Sequence, residues 1–123
     1  PIDYPAKVYD PKADYKYRFS LFHVWEKEFL AGIDDQINEK RLRYLVENII
    51  LQLQEIDKLV VEEKRPGLEK SIAGFKEIGQ TLAGPSQLYN INDFRNKTVQ
   101  LSKPILLNYL PKKMEDSIKI QKP

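Results

Sequence analysis

The chain has 123 residues, enough for one domain that encloses its own core without metal or disulfide support. Its 20 basic and 18 acidic residues leave a net charge of +2, too weak a field to draw the chain to nucleic acid or to an anionic membrane surface. The absence of cysteine removes disulfides, thiolate metal sites and cysteine nucleophiles, and no run approaches the roughly 20 apolar residues that a membrane-spanning helix needs.

Pro1, Pro5 and Pro11 punctuate an opening arm, residues 1–10, and hold it extended. Its apolar side chains, Ile2, Tyr4, Val8 and Tyr9, have little local partner surface, so they either lie along the domain or meet another protein. Asp10-Pro11 predicts a helix start, because the Asp side chain accepts from orphan amides and Pro suits the first helical position. Helix 1 then buries Tyr15, Phe22, Trp25, Phe29 and Ile33, with Phe19 and Leu21 at the edges. Gly32, followed by Asp34 and Asp35, is expected to end it.

The second helix, from Asn38 to about Arg65, carries Leu42, Val46, Ile49, Leu53, Ile56 and Val60 at alternating spacings of four and three, one unbroken apolar stripe. Leu45, Ile50 and Leu59 widen that stripe. Pro66-Gly67 predicts the next turn, and a third helix from about Leu68 to Ala83 places Leu68, Ile72, Phe75, Ile78 and Leu82 on one face. Gly74 and Gly79 within it imply close packing on a neighbour rather than phosphate binding, since no glycine-rich loop surrounds them. After Gly84-Pro85, Ser86 is expected to cap a fourth helix with Leu88, Ile91, Phe94, Thr98 and Leu101 inward. Pro104 lacks an amide donor and clashes with the preceding turn, so this helix either kinks there or ends near Ser102, and the end is the expectation. The sequence therefore predicts an all-α, up-down-up-down four-helix bundle over residues 11–103, an extended arm over 1–10, and a weakly structured basic segment with a short helix over 104–123.

Catalytic and metal-binding chemistry finds little material. The single His23 precedes Glu26, the reverse of the Glu-x-x-His order of di-iron bundles, and a two-histidine zinc site cannot be assembled. His23 and Met114, the one conceivable haem pair, are expected at different levels of the bundle. Histidine phosphotransfer bundles follow their histidine with x-x-Lys-Gly, whereas this chain reads His23-Val24-Trp25-Glu26-Lys27. We expect no enzyme, no cofactor and no metal. A partner surface is better supplied: Ile2, Tyr4 and Tyr9 in the arm, Arg18 on the apolar face of helix 1, Lys40, Arg41, Arg43 and Tyr44 at the start of helix 2, and Lys112 and Lys113 in the tail.

Two resemblances bear on this. Asp3, Pro5 and Val8-Tyr9-Asp10-Pro11 resemble the start of mature nickel superoxide dismutase, a four-helix protein. The histidine and two cysteines that hold its nickel correspond to Pro1, Ile2 and Ala6, so the resemblance implies at most a degenerate relative without metal. The proline-punctuated arm, the cysteine-free bundle, the basic clusters and Arg41-Leu42-Arg43-Tyr44-Leu45 at the opening of helix 2 resemble PsbQ-like extrinsic proteins of photosystem II. That resemblance implies a non-catalytic accessory subunit in the thylakoid lumen or another processed compartment, associated with the membrane through protein contacts. The partner would be a larger complex such as the membrane-embedded photosystem II subunits, with the oxygen-evolving centre stabilised and neither nucleic acid nor the bilayer bound directly. A different class of function is a small-ligand bundle using the aromatic side chains Phe22, Trp25 and Phe29.

Overall fold

The structure, a computed structural model, describes residues 8–85 and 89–119. It consists of α1 (Pro11–Asp34), α2 (Glu39–Leu59), α3 (Arg65–Leu82) and α4 (Ile91–Asn108), with single 3-10 turns at Glu62–Lys64 and Glu115–Ser117. Successive helices pack on each other and α4 returns to α1, which closes an up-down-up-down bundle. No helix among the described residues is long and apolar enough to cross a membrane. Of the sequence expectations, Ile2, Tyr4, Ser86 and Leu88 lie outside the described residues.

The stripe on α2 is the axis of the core: Leu42, Val46, Ile49, Leu53, Ile56 and Val60 are all fully buried. Facing it are Tyr15, Phe22 and Phe29 of α1 and Leu68, Phe75 and Ile78 of α3. Removing a side chain of this size from water contributes roughly 1.5–3 kcal/mol each, which is why the seam dictates the fold. Asp10 caps α1 as expected, its carboxylate accepting from the Lys12 and Ala13 amides at 3.0 and 3.3 Å. Asn38 caps α2 through the Arg41 amide at 2.8 Å.

Four boundaries differ from the sequence expectation. Gly32 does not end α1. It stays helical, with Ile37 and Leu42 pressed against it where a Cβ would stand, and the left-handed residue that reverses the chain is Gln36, with φ 55°. The Ile37 amide donates to the Gly32 carbonyl at 3.1 Å, the closing bond of a helix C-terminal motif. The second correction is at the end of α2. Val60 leaves the helix for extended backbone and pairs antiparallel with Ile118, the Lys119 amide donating to Leu59 at 2.7 Å and the Val61 amide to Ser117 at 2.9 Å. Pro66-Gly67 consequently falls inside the first turn of α3, where proline lacks nothing that the helix needs.

Third, α4 is capped by Asn90, whose side chain accepts from the Asn92 amide at 2.9 Å. Fourth, α4 runs through Pro104 to Asn108 rather than ending at Ser102. Gln100, whose carbonyl loses its helical donor at Pro104, is exposed, as is Pro104, so water can satisfy the break, while buried Ile105 holds the next turn against the core. The segment that follows is well built: Tyr109, Met114 and Ile118 are buried, and the Tyr109 hydroxyl donates to the Lys64 carbonyl at 2.7 Å. It packs against the base of the bundle, correcting the expectation of a weakly structured tail.

Candidate docking surfaces

The anticipated partner residues do not form one site. Because α1 rises and α2 descends, Lys112 and Lys113 lie by the start of α1, at the base, whereas Lys40, Arg41, Arg43 and Tyr44 lie at the opposite, upper end. A 24-residue helix separates those ends by roughly 36 Å.

At the upper end the basic residues divide between the two sides of α2. Arg43 faces α3, where it borders a hollow with Glu47, Lys76 and Gln80. Arg41 turns towards α1, its guanidinium 4.8 Å from the centre of the Tyr44 ring. Tyr44 in turn meets Trp25 of α1 edge to face, with ring centres 6.0 Å apart. Trp25 is therefore a half-buried surface residue rather than part of an aromatic chamber; Phe22 and Phe29 are sealed in the core without it. Tyr44 is 45% exposed, and Lys40, on the outer face of α2, is exposed too.

Arg18 does not reach outwards. Its guanidinium donates to Gln52 of α2 at 3.3 Å and to Asp14 at 3.4 Å, and sits 5.6 Å from the Tyr17 ring centre. Asp14 also accepts from the Tyr9 hydroxyl at 2.6 Å, so the end of the arm, α1 and buried Gln52 are joined in one polar chain. That hydrogen bond, followed by burial, pushes the Tyr9 phenol up to about 12. Tyr9 and Arg18 thus already have partners within the chain, and their first role is to tie α1 to α2.

At the base, Lys113 donates to the Leu107 carbonyl at 2.7 Å. Lys112 borders an open hollow of about 590 Å³, together with Lys12 and Lys16 of α1 and a floor that includes Leu110, Pro111 and Ile118. Higher on the same α1–α4 seam, a second hollow of about 290 Å³ lies between Glu26 and the α4 residues Val99, Ser102, Lys103, Leu106 and Leu107. Glu26 is buried, with the His23 imidazole Nδ1 3.5 Å from its carboxylate. Val99, Leu107 and Leu110 are 48%, 52% and 39% exposed, a second apolar stripe on the outside of α4.

Sequence reasoning missed that stripe for one reason. The residues that compose it straddle Pro104, and a helix thought to end at Ser102 has no such face. Had the helix been continued, the spacings of eight and three between Val99, Leu107 and Leu110 were the available signal. Among the described residues no group of three or more histidine and carboxylate side chains is arranged to hold a metal. Compared with known proteins, the sequence matches no family model, and no curated protein and no solved structure is significantly similar to it.

Proposed function

We propose that this chain is a non-catalytic accessory subunit that docks on a larger protein complex. The observation that supports the reading best is the Arg41–Tyr44–Trp25 stack: an arginine and two aromatics, already ordered against one another and open to solvent. Such side chains dominate binding energy when a partner covers them, and prior ordering lowers the entropy lost on association. In its specific form the partner is photosystem II, reached from the lumenal side, with the subunit stabilising the oxygen-evolving centre. The support for that form is the resemblance of the arm and of the Arg41–Leu45 stretch to PsbQ-like proteins.

The test is retention of tagged protein on solubilised thylakoid complexes, comparing the full chain with Arg41→Ala/Tyr44→Ala and with a chain lacking Pro1 to Tyr9. The expected result is retention of the full chain with photosystem II subunits and a loss of tenfold or more in the double variant, a cost of about 1.4 kcal/mol or above. Equal retention of the double variant removes the stack from the interface. No retention of any form removes the photosystem reading.

A further inference from the structure

We propose a second docking surface, the α1–α4 seam, whose occupant is an acidic amphipathic helix of a partner protein. Three features of the seam select that occupant. Its floor is apolar and as long as a short helix: Val99 and Leu110 lie eleven positions apart, roughly 16 Å or three turns, and the two hollows follow one another along it. An amphipathic helix lays its apolar face into such a groove between two helices through side chains three and four apart.

The rim is basic. Lys12, Lys16, Lys103 and Lys112 border the hollows, and none of them makes an ion pair among the described residues, in contrast to Lys58 and Lys97, which do. Two of the acidic residues on the hollows belong to α1: Asp10 caps the helix, and Glu26 is buried, its carboxylate 3.5 Å from the His23 Nδ1 with no hydrogen bond between them. Glu115 is the remaining carboxylate on the border. Carboxylates on the flanks of an incoming helix meet four ammonium groups that make no ion pair among the described residues, and that complementarity selects an acidic partner and accelerates its encounter.

The same charges disfavour a second copy of this chain, since a two-fold contact through this face sets lysines against lysines. The floor is also concave and interrupted by Asp10 and Glu115, which fits side-chain knobs better than a flat lipid surface. The surface is separate from the Arg41–Tyr44–Trp25 stack, so either can fail while the other stands.

The experiment uses the full chain and a fluorescein-labelled amphipathic 15-mer, leucine at its heptad a and d positions and mostly glutamate elsewhere, read by fluorescence anisotropy and amide NMR shifts. A permuted peptide of the same composition is the control. The expected outcome is saturable binding of the amphipathic peptide, at least tenfold tighter than the permuted one, with shifts concentrated at Val99, Lys103, Leu107 and Leu110. Lys103→Glu/Lys112→Glu, each of its two single variants in part, and, separately, Leu107→Asp weaken it, the double variant and Leu107→Asp tenfold or more, while Lys58→Glu, a single such charge reversal on α2, does not. All these positions are exposed, and unchanged thermal melts confirm the fold of each variant. Equal binding of the permuted peptide overturns the proposal, as do shifts confined to the Lys40–Tyr44 end. Self-association through the seam, or binding to phosphatidylserine vesicles that the Leu107→Asp change abolishes while the peptide does not bind, assigns the face to another occupant. Binding that appears only after removal of residues 1–7 assigns it to the chain's own arm.

Discussion

α1 makes two lateral contacts, and they are built in opposite ways. Against α2 it is closed throughout: Phe22 and Phe29 meet the stripe, Arg18 donates to Gln52, and Trp25 packs on Tyr44. Against α4 it is tied at its two ends, by the Arg95–Asp34 ion pair at 3.4 Å at the top and by the Tyr15 hydroxyl, which donates to the Tyr109 carbonyl at 2.5 Å, at the base. Between those ties, apolar side chains of α4 face solvent. One helix thus uses one flank for stability and keeps the other available, and the two flanks differ in what a substitution does.

The sharpest way to separate them is a pair of truncations. Leu53→Ala, within the closed core, is expected to cost about 2–5 kcal/mol in urea denaturation through lost burial and the cavity left behind. Leu107→Ser, on the open flank, is expected to change stability by less than about 0.5 kcal/mol. A comparable loss from both would mean that the α1–α4 seam is closed in solution, and the contrast between the flanks would fail.

The base tie comes next. Tyr15→Phe keeps the ring and deletes the donor to a buried carbonyl, with an expected cost of about 1–3 kcal/mol. Its thermal melt should fall accordingly, and hydrogen exchange should accelerate more in the segment after α4 than in α2.

The α3 glycines give a smaller effect of either sign. A Cβ on Gly74 would collide with Leu101 of α4, so Gly74→Ala is expected to destabilise by about 1 kcal/mol as that side chain is displaced. A Cβ on Gly79 would meet only Val46, at an ordinary 3.6 Å, so Gly79→Ala should stabilise by up to about 1 kcal/mol through helix propensity. Thermal melts of the two variants that moved in the same direction would contradict this reading of the α3 packing.

The mildest perturbation is alkaline pH. Burial raises the Tyr15 phenol, and burial followed by the Asp57 charge raises that of Tyr109. A phenol whose pKa is raised by folding contributes stability that is complete below the unfolded value near 10 and is lost as pH rises towards the folded value. Melting temperature is therefore expected to be insensitive to these groups up to about pH 10 and to decline above it. Tyr15→Phe should flatten part of that decline. An unchanged slope in that variant would dissociate the base tie from alkaline sensitivity.

What the sequence made legible follows from the range of the forces involved. The α2 stripe, the Asp10 cap and the apolar faces of α1 and α3 are local patterns, and each reads directly as structure. The early end of α2 was hidden because Val60 continues the helical stripe, and only pairing with Ile118, 58 positions away, draws it into extended backbone. Pro104 misled in the opposite sense, since a locally unfavourable residue is tolerated when its broken bond faces water and Ile105 is buried beyond it. As for the candidate site, Arg41 and Tyr44 could be found from their proximity in sequence. The partnership with Trp25, the engagement of Arg18 by Gln52 and the hollows on the α1–α4 seam required the packed bundle.

The pairing of Val60 with Ile118 also brings the final described residues beside the first. Asp10 and Ile118 border the same basal hollow. A bulky label at Asp10 or Lys119 would therefore stand beside the groove, whereas one at Ala83, at the upper end of α3, would leave it clear. The same proximity makes the bundle a natural subject for circular permutation: a short linker from Lys119 to Asp10, with a cut between α3 and α4, keeps all four helices in their places.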